Sequence, residues 1–259
     1  MKIALIILAV LLLPIILDAV VGFALGLRHW RDRGGDADKG LVIFSESIRW
    51  MGVRWGFRSV SAGLRRAGFA GEIRYWRWHA TWRGGLVLPA IMDARMLEAQ
   101  ARKLAEFIAH QHQKNPGRPI WLIGYSCGAY VAVRALELLP DGVAVEAVAL
   151  LAAAVDPRRD LGPACRHVRG RLVNVHSWLD WLIVGVGTLV VGTGDRRHTA
   201  SAGMVGFHTP PPQVEEVHWT PAMIRWGDLG GHFGAAAPSL IATRVAPLIG
   251  IGDSGETGV

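Results

Sequence analysis

Ser126 stands in Gly124-Tyr125-Ser126-Cys127-Gly128, a G-x-S-x-G pattern between the apolar run 119–124 and a helix-forming run from Ala129. In a strand–turn–helix setting this pattern puts a serine on a sharp, strained turn. The flanking glycines remove side chains that would clash there, and the hydroxyl stands clear of the backbone. The same turn aims the N–H of the following residue, here Cys127, at a developing oxyanion. A serine hydroxyl attacks a carbonyl only with a base beside it, and the base needs an orienting acid. Asp180, in Ser177-Trp178-Leu179-Asp180, and His232, in Gly230-Gly231-His232-Phe233-Gly234, follow Ser126 later in the chain and are the candidate acid and base. Asp156, in Ala154-Val155-Asp156-Pro157, is a second candidate acid, and Asp180 is preferred. Asp180 could also simply cap a helix starting at Trp181.

The remaining residues must supply elements that bring these three together. Residues 41–45, 72–76, 119–124, 145–152, 171–176 and 214–219 read as strands. Several are apolar throughout, as a sheet covered on both faces requires. Between them, residues 57–67, 93–112 and 129–139 read as helices, and residues 235–249 as a closing helix. In residues 93–112, Leu97, Ala101, Leu104 and Ile108 recur at helical spacing. Alternation of this kind predicts an α/β domain with a mostly parallel sheet flanked by helices. The short segment 155–170 leaves no room for a helical cap. Residues 182–194 are apolar and glycine-rich, and read as a buried helix or as a patch resting on lipid.

The chain resembles the α/β-hydrolase superfamily over residues 40–250, in its G-x-S-x-G elbow, its Ser177-x-x-Asp180 stretch and its late Gly231-His232-Phe233-Gly234 loop. The last two are similar to those of lipase- and esterase-like members. The resemblance implies Ser126 as nucleophile, Asp180 as triad acid, His232 as base, and cleavage of an ester, thioester or amide through an acyl-enzyme. It implies no cofactor and no metal. One departure stands out. The superfamily often carries His-Gly after the early strand, to donate a second oxyanion N–H. Here that place reads Ser45-Glu46-Ser47, so the donor would come from Ser45 or Glu46, with a carboxylate close by.

Residues 3–27 are apolar except for Asp18. Their length suits a membrane span, although a mid-span carboxylate costs roughly 2.5–3.5 kcal/mol on insertion scales. Three readings stand: an uncleaved anchor, which is preferred, a signal peptide cleaved near residue 24, and a buried helix of the fold. Arg28, Arg31 and Arg33 beyond the segment outweigh Lys2 before it, which favours a cytoplasmic domain. Cleavage would instead make the protein secreted or periplasmic. Residues 28–40 read as a linker, 41–250 as the domain and 251–259 as a flexible tail. The net charge of +7 is spread along the chain, without a basic run of the kind nucleic-acid modules carry. Cys127 and Cys165 are expected as free thiols, too few to frame a metal site. The sequence therefore predicts a membrane-associated serine esterase acting on a small-molecule or lipid acyl ester. An acyltransferase on the same fold and a non-catalytic lipid- or partner-binding protein are the alternatives.

Overall fold

The structure is a computed structural model that describes residues 2–28, 34–46, 54–77 and 93–252; within the first segment, side chains are described from Leu12 to Leu25. Six strands form one parallel sheet: β1 (Asp36–Glu46), β2 (Gly71–Arg77), β3 (Ile120–Tyr125), β4 (Ala147–Leu151), β5 (Leu172–His176) and β6 (Val214–His218). Their order is β2-β1-β3-β4-β5-β6, and each neighbouring pair runs parallel. The helices α1 (Lys2–Arg28), α2 (Trp55–Arg66), α3 (Ala94–Lys114) and α4 (Cys127–Glu137) come before and between the strands.

The runs of Val, Ile, Leu and Ala in β1, β3 and β4 are explained by burial on both sides. Leu41, Ile43, Val148 and Leu150 join one core with α3 and α4. Their immediate neighbours Val42, Phe44, Ala149 and Leu151 join a second core with α2 and the C-terminal segment. Successive strand side chains point to opposite faces, so a strand buried on both faces loses the alternation of polar and apolar residues. In α3 the buried residues include Leu97, Ala101, Leu104 and Ile108, and Asp93 caps the helix by accepting from Arg95 N at 2.9 Å.

The chain runs from β1 out to β2, then returns across β1 to start β3 on its other side. Strand order therefore reverses between β1 and β3. In an open parallel sheet, such a switch point opens a crevice at the carboxyl ends of the strands, where ligands bind. Ser45 and Glu46 end β1, and Ser126 follows β3 directly.

Four expectations are corrected. Residues 235–249 do not form one helix. A 3₁₀ turn at Gly234–Ala236 is followed by short helical pieces of changing pitch, Pro238–Leu240, Ile241–Val245 and Ala246–Leu248. Pro238 opens the helical part, where its missing N–H costs nothing, and holds Ala237 before it in an extended conformation. The linker is partly strand: β1 begins at Asp36, whose N–H donates to Ala70 O at 2.9 Å. Gly35 lies so close to Gly71 O that no side chain would fit. Ile251, placed by the sequence in a flexible tail, is buried; residues 253–259 lie outside the described residues.

The fourth correction concerns α1. Among the described residues no helix is long and apolar enough to cross a membrane, so the spanning anchor finds no support. From Leu12 onwards α1 is seated on the domain. Asp18 and Gly22 are buried, and Ala19 and Phe23 pack against the core shared with α2. Trp55 Nε1, in the first turn of α2, donates to Gly22 O at 2.5 Å. The opposite face, with Leu13, Ile16, Leu17 and Val20, is exposed.

Candidate active site

Ser126 has φ 56° and ψ −127°, a backbone conformation that costs a non-glycine residue energy and persists only where its surroundings enforce it. The two glycines of the motif show how. A Cβ on Gly124 would come within 2.6 Å of Ala129 Cα, and one on Gly128 would collide with Ser45 O. The strand can approach the helix, and the helix the end of β1, only without side chains at those positions. The Ser126 N–H donates to Leu151 O at 2.9 Å, and its carbonyl accepts from Ala129 N at 3.0 Å and Ala154 N at 3.1 Å. The turn is thus fixed between two strands and a helix.

Asp180 and His232 meet. His232 Nδ1 and Asp180 Oδ2 are 2.6 Å apart, and both residues are buried. Asp180 stands at the N-cap of the π-helix Trp181–Gly187, yet its carboxylate makes no capping hydrogen bond there. Burial pushes its carboxyl above the usual range, opposed by the charge and hydrogen bond of His232. Asp156 does not take this position. Its Oδ1 accepts from Arg158 N at 3.0 Å and Arg158 Nε at 3.3 Å, while its own N–H donates to Asp195 Oδ2 at 2.6 Å.

The histidine loop is held to the elbow strand by the residue before the serine. Tyr125 Oη donates to His232 O at 3.0 Å, and the two rings lie 5.0 Å apart. No hydrogen bond joins Ser126 Oγ to His232 among the described residues. The structure therefore brings the acid and the base into contact, and anchors the base to the serine's own strand.

Cys127, Ser45 and Glu46, the candidate oxyanion residues, lie together where the elbow abuts the end of β1. A Cβ on Gly128 would stand 3.0 Å from Glu46 N. The Glu46 carboxylate, which sequence places uncomfortably near the oxyanion, accepts from Gly56 N at 3.2 Å in the first turn of α2. A helix N-terminus is a favourable place for a negative charge. The Cys127 thiol is pushed up to about 12 by burial and is protonated at neutral pH, so it is no rival nucleophile. Neither Cys127 nor Cys165 is in a disulfide among the described residues.

Sequence reasoning missed two carboxylates. Asp228 is buried in the histidine loop, where its Oδ1 accepts from Gly230 N at 2.8 Å. Burial foremost, then Asp18 and Asp180, push its carboxyl up to about 7. Below that pH Asp228 is protonated, which spares the site a further buried negative charge. Its position four residues before His232 was the available signal. Asp18 of α1 reaches the same loop: its Oδ2 accepts from Phe233 N at 2.9 Å, directly after the histidine. Being the one acidic residue of residues 2–28 was its signal.

Beside the loop lies a cavity of about 520 Å³ lined by Pro14, Ile15, Trp178, Leu179, Trp181, Met204, Leu229 and Gly231. Its wall is almost wholly apolar. It includes the immediate neighbours of Asp180 and of His232, with α1 closing one side.

A family model described as a protein of unknown function (DUF726) matches residues 91–187, the stretch that carries the elbow and Asp180. A transmembrane and coiled-coil domain-containing protein from Oryza sativa subsp. japonica is 30% identical over 196 residues, which are 70% of this chain and 28% of that protein. The chain thus spans little more than a quarter of that relative's length. Among solved structures, an α/β serine hydrolase without lid from Xanthomonas campestris is 15% identical, with a TM-score of 0.48 over 84% of each chain. A cutinase from Trichoderma reesei is 13% identical, with a TM-score of 0.40 over 90% of this chain and 87% of its own. Strand order, the strained serine elbow at the switch point, and the order serine, acid, histidine along the chain are those expected of this fold. In its strand order and serine elbow the chain has an α/β-hydrolase-like fold.

Proposed function

We propose that the protein is a serine hydrolase that cleaves an apolar acyl ester through an acyl-enzyme on Ser126. The observation that carries this reading is the buried 2.6 Å contact between Asp180 and His232, on a loop tied to the strand that ends in the strained Ser126. Such a pair fixes the imidazole tautomer, leaving Nε2 to take the serine proton and return it to the leaving alcohol. The N–H groups of Cys127 and of the Ser45–Glu46 segment then serve the tetrahedral oxyanion. The apolar cavity supports an alkyl chain as the acyl group. The test is a series of p-nitrophenyl esters without added acceptor alcohol. For the wild type, kcat/KM is expected to climb a few fold per methylene from acetate upwards, corresponding to about 0.8 kcal/mol per buried CH₂. Ser126→Ala is expected to fall to background on every ester. A series that is flat or falling from acetate contradicts the apolar substrate. Turnover by Ser126→Ala contradicts the mechanism.

The rice relative is named as a transmembrane protein. That name, with the exposed stripe of Leu13, Ile16, Leu17 and Val20 on α1, supports a second element of the proposal: this face rests on a lipid surface. Leu189 and Val190, after the acid loop, add further exposed apolar surface. Leu17→Glu combined with Val20→Glu should lower binding to phosphatidylcholine–phosphatidylglycerol vesicles by about tenfold or more, since each buried large aliphatic side chain contributes about 1.5–3 kcal/mol. Unchanged co-sedimentation would remove the lipid surface from the account.

A further inference from the structure

We infer that Asp18 of the N-terminal helix is a positioning residue for the base His232, so that α1 belongs to the working site. The inference rests on the serine-hydrolase reading above.

Asp18 is 3% exposed, and it comes from an element 214 positions before His232. Its Oδ2 accepts the Phe233 N–H at 2.9 Å. Any side chain at Gly231 would collide with the same carboxylate, and a Cβ at Gly234 would stand 3.0 Å from Oδ1. The backbone on both sides of His232 is thus moulded around Asp18. One helical turn later, Gly22 O accepts from Trp55 Nε1, and the Trp55 ring meets Phe233 edge-on at 4.9 Å. The helix therefore grips the histidine loop at two successive turns. With Tyr125 holding the His232 carbonyl and Asp180 its ring, Asp18 completes a three-sided seat for the base. This also gives a reason for a carboxylate in an otherwise apolar helix. Its cost is offset by a buried N–H that would otherwise lack an acceptor.

Asp18 acts through charge as well as geometry. The titratable groups facing it are His232 and Asp228 on the loop, Asp180 after β5, and Tyr125 at the end of β3. Its carboxyl is pushed up to about 6, first by burial. Above that pH it is an anion and the Phe233 N–H has a charged acceptor; below it the acceptor is neutral. Removing the charge therefore removes a change in kcat/KM centred near pH 6.

The experiment compares wild type, Asp18→Asn and Asp18→Leu in the full chain, on a short water-soluble ester across pH. Asp18→Asn keeps an oxygen for the Phe233 N–H and loses the charge. It is expected to retain kcat within about threefold at the optimum, with a kcat/KM profile that no longer carries the Asp18 titration near pH 6. Asp18→Leu loses both and is expected to drop kcat about 10- to 100-fold at nearly unchanged KM, as loss of alignment does. Wild-type kcat in Asp18→Leu overturns the inference. So does a kcat/KM profile in Asp18→Asn that coincides with the wild type through pH 6, and this arm decides alone should Asp18→Leu fail to fold. Ser126→Ala run alongside separates the two levels: activity that survives it refutes the serine mechanism, whereas activity that needs Ser126 but ignores Asp18 refutes only the present inference.

Discussion

Asp180→Asn is expected to lower kcat on the order of 10⁴-fold, while Asp156→Asn stays within a few fold of wild type. The buried carboxylate of Asp180 accepts a hydrogen bond from the Nδ1–H of His232 at 2.6 Å. That contact selects the tautomer with a free Nε2 and stabilises the imidazolium that forms when the serine is deprotonated. An asparagine amide can turn its NH₂ towards Nδ1, which selects the opposite tautomer, with the proton on the nitrogen that should accept. Geometry survives and the base is lost. Asp156 makes no such contact. Its carboxylate is satisfied by the backbone and side chain of Arg158, so its loss should be felt in the stability of the loop near Asp195. Steady-state kinetics on a short ester, with thermal unfolding of both variants, check the pair. A damaging Asp156→Asn beside an active Asp180→Asn would transfer the acid role.

Ser126→Ala and His232→Ala are each expected to cost on the order of 10⁶-fold in kcat, and the double variant is expected to be little worse than either. A serine without its base is a poor nucleophile, and the base without the serine has nothing to activate, so the second deletion removes what the first has already disabled. Ser126→Ala keeps the Cβ and with it the strained φ of 56°, so the elbow should hold its shape. His232→Ala leaves the Tyr125 contact in place, because Tyr125 donates to the backbone carbonyl of residue 232. Both single variants should fold. Losses that add would show two independent contributions rather than one machine.

Much of this arrangement can be read from the chain before folding. The two-faced apolar runs at β3 and β4 announce a buried parallel sheet, because burial on both sides leaves no polar residue to alternate. The glycines flanking Ser126 announce the elbow, because close backbone approach leaves no other residue type. Two further features depended on partners distant in sequence. Asp156 and Asp180 both follow strands in plausible places, and what separates them is that Arg158 occupies the first while His232 reaches the second. Asp18 reads in isolation as a cost to a membrane span, since the N–H it accepts belongs to Phe233 at the far end of the chain. Local pattern also started the closing helix too early, since Pro238 holds Ala237 extended.

The central claim is that Ser126 is the activated nucleophile, and a fluorophosphonate tests it most directly. The probe phosphonylates a serine whose hydroxyl is activated by a positioned base. After incubation of the native protein and proteolysis, mass spectrometry is expected to find the adduct on the peptide containing Ser126. Labelling should be absent in Ser126→Ala and strongly slowed in His232→Ala. An intact wild-type protein that takes no label, or one that carries it on another residue and still does so as Ser126→Ala, would contradict the account.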